Sequence, residues 1–141
     1  MQNLDALAAE YAQKIVSEVQ STNDLENLAT KALGVLQENG AYALVLFLQS
    51  RTREADKKLA KSIEGHLFQM LSRDPLQSLL SANAEDRPAQ GGNDSEDQKQ
   101  KHLERIRHIS ENLDHLLLVK QLWEQTLTYV RYGAKAQETK S

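Results

Sequence analysis

The stretch KALGVLQENGAYALVLFLQSRTR, Lys31 to Arg53, constrains this chain more than any other. An amphipathic run ends at Asn39-Gly40, a nearly continuous apolar run follows, and a cluster of bases closes it. Glycine reaches the left-handed cap conformation at little steric cost, so Gly40 is expected to stop the first of two helices. Ala41 to Gln49 shows no polar face until its end, which predicts a helix buried all round at the centre of a bundle. A buried strand is the competing reading, since Val45 and Phe47 suit strands. Helix is favoured because no partner strand is evident elsewhere. The stretch therefore specifies a buried helical hairpin with cations at its exit.

The flanking sequence is helical in pattern as well. Leu4, Leu7, Tyr11, Ile15 and Val19 recur at three- and four-residue steps and predict a helix over roughly 3–20. A second helix carries Leu25, Leu28, Ala29, Ala32, Leu33 and Leu36 on one face. Thr22 or Asn23 is the expected N-cap, with Glu26 three residues after Asn23 at capping-box spacing. A fourth helix, about 54–72, turns Leu59, Ile63, Leu67 and Met70 inward. Asp74-Pro75 opens a short fifth helix with Leu76, Leu79 and Leu80. Asn83 to Lys101 holds no large apolar residue and reads as a polar, mobile surface loop inside the domain. Leu103, Ile106 and Ile109 precede a break near Asn112. Asp114 then caps a last helix that reaches about Ala136. The expectation is an all-α single domain over 1–141, a compact bundle of five to seven helices with a flexible loop at 83–101.

Composition narrows the function. Hydrophobic residues are 40% and aromatics only 5%, which suits packed helices of Leu, Ala, Val and Ile. There is no cysteine, which removes disulfides, thiolate metal sites and cysteine nucleophiles together. The first residues, MQNLDALAAE, do not read as a signal peptide. The run Ala41–Leu48 is about half of what a membrane span needs, so no membrane association is expected. A net charge of −3 does not advertise nucleic-acid binding, although a local basic face can still provide it.

Residues able to do chemistry are sparse. The histidines are His66, His102, His108 and His115, and Glu104–His108 and Glu111–His115 are spaced one helical turn apart. The Glu-x-x-His pattern of di-iron bundles is missing, so these read as solvated pairs, and no metal or cofactor is expected. Gly65 inside a helix reads as close packing or a local weakness. Two basic groups remain. Arg51, Arg53, Lys57, Lys58 and Lys61 follow the third helix, interleaved with Glu54, Asp56 and Glu64. Lys120, Arg131 and Lys135 lie along the last helix. Such cations bind phosphates without reading bases, through counterion release.

Two blocks carry a resemblance. ENGAYALVLFLQSR, Glu38 to Arg51, resembles a pattern in the small α-helical subunit of type III-B CRISPR effector complexes. That family reads apolar–x–x–Asn–Gly–Leu, then an Ala/Leu/Phe-rich run, then Ser–Lys. Asn39-Gly40, Leu44 to Leu48 and Ser50-Arg51 stand at the matching positions. LDHLLLVKQLWEQTLTYVRYGAKA, Leu113 to Ala136, is similar to the family's closing helix. Ala41 departs from the usual Leu, Leu116 or Leu117 stands where an aromatic is common, and Arg51 replaces Lys. The resemblance implies a non-catalytic, cytoplasmic scaffold acting in antiviral defence. Copies of it would stack in an inner filament beside the backbone and large subunits and line the groove for target RNA paired to the guide RNA. By its position Arg51 is the best RNA-contact candidate. Arg53, Lys57, Lys61, Lys120, Arg131 and Lys135 are further candidates from clustering.

Two other readings stand beside it. A protein–protein adaptor would use leucines left over after packing, and Leu116, Leu117, Val119 and Leu122 are too wide a group for one stripe. A small helical enzyme would rest on His108, His115 and neighbouring carboxylates.

Overall fold

A computed structural model describes residues 4–73, 76–80 and 95–138. Seven helices and no strand are found among them: α1 (Leu4–Glu18), α2 (Thr22–Asn39), α3 (Ala41–Gln49), α4 (Glu54–Met70), α5 (Leu76–Leu80), α6 (Ser95–Ile109) and α7 (Leu113–Glu138). The architecture is all-α, as the periodicity predicts.

The centre of the bundle differs from the expected one. The 26-residue α7 packs along α1 and α2 and touches α3 and α6 as well. Its inward face (Val119, Leu122, Trp123, Leu127, Val130 and Ala134) is buried. Trp123 is fully buried, and its indole N–H donates to the Leu67 carbonyl at 3.1 Å. That carbonyl lies in the last turn of α4, where helix carbonyls lack intrahelical partners. The one polar atom of the largest core side chain is thus satisfied by a helix end. Thr126, also buried, donates to the Leu122 carbonyl at 2.9 Å within its own helix.

α3 is not buried all round. Ala41, Leu44, Val45 and Leu48 face the core, but Tyr42 and Leu46 are 39% and 45% exposed. At nine residues α3 is about 13 Å long. It is held by α2, α4 and α6 on its inner faces. The chain enters α3 at Gly40, whose φ of 96° and ψ of −179° lie in a region essentially reserved for glycine. This is an extended positive-φ corner rather than the left-handed cap expected from sequence.

Two caps also move. α2 begins from Ser21, whose Oγ accepts from the Asp24 amide at 3.4 Å and donates to the Asp24 carboxylate at 3.0 Å. α7 begins from Asn112, whose Oδ1 accepts from the His115 amide at 3.1 Å. The expected caps Thr22, Asn23 and Asp114 sit inside the first turns. Of the segment 83–101, residues 83–94 lie outside the described residues, as do Asp74 and Pro75, and 95–101 form the first two turns of α6. Glu96 and Asp97 favour that helix start through its dipole. The inward stripe of α6 runs Lys99, His102, Ile106, Ile109, so its first half is polar and gave no apolar signal. In α5, Leu76 and Leu80 are buried and Leu79 is 47% exposed.

Candidate nucleic-acid interface

Where α6 passes the end of α3 and the face of α4, the helices leave an open groove of about 820 Å³. It lies beside the polar half of α6's inward stripe, where Lys99 and His102 line it, while Ile106 and Ile109 further along are buried. Arg51, Lys57, Lys58, Lys61, Lys99 and Arg105 line it, with Glu64 as the only lining carboxylate among the described residues. Two helices, α4 and α6, and the connection after α3 therefore deliver six cations to one concavity of a chain whose net charge is −3.

The groove brings together part of the expected set. Arg51, Lys57 and Lys61 line it. Arg51 also has a structural task. Its Nε donates to the Phe47 carbonyl at 3.0 Å, and its guanidinium lies 3.9 Å from the centre of the Phe47 ring. It thus caps the C-terminus of α3, where a cation is favoured by the helix dipole. Lys57 pairs with Glu54 at 3.5 Å on the exposed surface, a contact worth little. Lys58 and Lys61 have no carboxylate partner among the described residues. Arg53 does not line the groove; it precedes α4, largely exposed, 3.7 Å from Asp56. Lys120, Arg131 and Lys135 do not line it either. Lys120 lies 4.0 Å from Glu124, and the other two are exposed along α7.

Sequence reading missed the α6 side of the groove: Lys99, His102 and Arg105. The available signal was helical spacing rather than composition, since 99, 102, 106 and 109 fall on one face. His102 stacks flat on Phe68, with ring centres 4.0 Å apart and planes 2° from parallel. Its Nδ1 lies 2.5 Å from Glu64 Oε2. Gln49 Nε2 donates to the same oxygen at 3.0 Å and to the Lys99 carbonyl at 3.1 Å. Glu64 is 7% exposed, and these bonds supply what a buried carboxylate requires. The knot joins α3, α4 and α6 at the groove floor. Gly65 beside it has nothing within 4 Å of an added Cβ, so close packing does not explain it.

The other expected chemistry does not assemble. His108 Nδ1 lies 3.7 Å from Glu111, one turn on, and no cluster of three His, Asp or Glu able to hold a metal occurs among the described residues. No described helix is long and apolar enough to cross a membrane. Of the apolar residues read as surplus, Val119 and Leu122 are buried, Leu116 is half-buried and Leu117 is 52% exposed. No protein-family model, curated protein or solved structure matches the chain.

Proposed function

We propose that this chain is a non-catalytic, RNA-binding helical subunit of a CRISPR effector complex of the type III-B kind. It contacts the backbone of the target strand through the groove between α3, α4 and α6. The observation that carries this reading is the convergence of Arg51, Lys57, Lys58, Lys61, Lys99 and Arg105 in one concavity of an acidic protein. A concave cationic surface focuses field and attracts phosphates whatever the net charge. The resemblance over Glu38–Arg51 supports the same place, because Ser50-Arg51 ends α3 at the groove. Phosphate contacts position a strand without specifying its sequence, and in a guided complex base pairing supplies the specificity. Such a subunit works in the cytoplasm beside backbone and large subunits and further copies of itself.

A second reading, a protein–protein adaptor, is favoured by Leu113 and Leu117, which are 66% and 52% exposed one turn apart on α7. The two are separated by purifying the tagged chain from its native host and sequencing bound RNA. Recovery of repeat-derived guide RNA together with large backbone subunits supports the effector reading. Recovery of a single unrelated protein without RNA establishes the adaptor.

A further inference from the structure

We infer that His102 accepts a hydrogen bond from a ribose 2′-hydroxyl and makes the groove prefer RNA over DNA. This rests on the reading of the groove as an RNA-backbone site. The argument begins at Gln49. Its Nε2 reaches the Lys99 carbonyl, which can only accept, so that end of the amide is the donor. The same Nε2 reaches Glu64 Oε2, which therefore accepts. A carboxylate oxygen only accepts, so His102 Nδ1, 2.5 Å from Glu64 Oε2, is the donor of their shared bond. A carboxylate fixing an imidazole through Nδ1–H leaves the lone pair of the neutral ring on Nε2.

That Nε2 is not buried and has no partner among the described residues. The ring cannot readily turn away. Phe68 holds one face, Glu64 holds Nδ1, and the side chain as a whole is 18% exposed. An acceptor is thus presented, in fixed orientation, inside a groove lined by cations. Lysines and arginines bind phosphates equally well on ribose and deoxyribose strands. The 2′-hydroxyl is the donor that separates the two, and a fixed acceptor among phosphate-binding cations is the complementary group.

The test uses the full chain at low salt and about pH 8. Three single-stranded oligouridylates of equal length are compared: ribose, 2′-deoxy and 2′-fluoro. The 2′-fluoro strand keeps an RNA-like sugar but has no hydroxyl to donate. Expected is a preference for the ribose strand of roughly fivefold, the worth of one net hydrogen bond. The 2′-fluoro strand should bind no better than the deoxy strand. His102→Phe, which retains the stack on Phe68, should bring all three to the deoxy affinity. Equal binding of the ribose and 2′-fluoro strands by the unaltered protein overturns the proposal, and that arm needs no variant to fold. So does a ribose preference that survives in a folded His102→Phe. Lys58→Ala with Lys61→Ala should weaken all three strands equally. If the paired lysine variant changes nothing, or the unaltered chain binds no RNA, the groove reading itself falls, and the ribose inference with it.

Discussion

His66 is the residue whose protonation most directly touches the fold. It packs edge-on against Tyr11, and its Nε2 lies 2.9 Å from Glu18 Oε2 without hydrogen-bond alignment. Burial holds its pKa below the ordinary histidine value; Glu18 opposes that shift and Lys14 adds to it. A lowered folded-state pKa means that the unfolded chain binds the proton first as pH falls. The contribution of His66 is therefore complete above about pH 6.5, the unfolded histidine value, and is lost progressively below it. Urea midpoints measured between pH 7.5 and 5.5 should fall for the unaltered protein and fall less for His66→Phe. Parallel slopes would remove His66 as the cause. Gly40 makes a backbone prediction at the same scale. Its added Cβ would meet no atom within 4 Å, so the cost of Gly40→Ala is conformational, about 1–3 kcal/mol. Gly34, inside α2 with equally open surroundings, should behave oppositely, and Gly34→Ala should gain roughly 0.5–1 kcal/mol. Equal signs for the two in thermal or urea unfolding would contradict this account of Gly40. The sequence already pointed to Gly40 as a helix stop, but not to its extended backbone, which depends on how α2 and α3 meet.

Among the elements, those with an apolar stripe were legible, and their ends less so. Every residue from Ser21 to Asp24 is a good N-cap type, so local chemistry does not choose between them. The choice falls to Ser21, where the serine–aspartate exchange three residues apart satisfies the helix start. The same holds at α7, where Asn112 caps and Asp114 lies in the first turn. Asn112→Ala should cost about 1 kcal/mol, and Asp114→Ala only a few tenths through the helix dipole. The reverse order in urea titrations would restore Asp114 as the cap. α6 was misread at its N-terminal end for a different reason. Its first two inward positions are Lys99, whose backbone carbonyl meets Gln49 from 50 residues away in sequence, and His102, whose partner Glu64 is 38 residues away. A stripe that is polar because it borders a groove cannot be recognised until the opposing helices are in place. The failure of the helix pattern there marks the candidate site. α3 shows the converse: its composition suggested full burial, yet Tyr42 and Leu46 stand at the surface, on a face no described helix covers.

For the molecule as a whole, charge is the quantity that sequence totals conceal. Acidic residues outnumber basic ones, 20 to 17, yet the fold gathers six cations around one buried carboxylate. Clustering along the chain revealed the α4 half of that groove, because Lys57, Lys58 and Lys61 are neighbours on one helix. The α7 cations Lys120, Arg131 and Lys135 looked similar in sequence but do not line it. The most direct test of a phosphate-binding groove is the salt dependence of single-stranded RNA binding by the full chain, compared with the Lys58→Ala, Lys61→Ala double variant. Loss of two phosphate contacts should reduce the slope of log K against log salt by about 1.4, roughly 0.7 for each contact. A double variant whose affinity and slope match those of the unaltered protein would show that RNA does not bind in this groove.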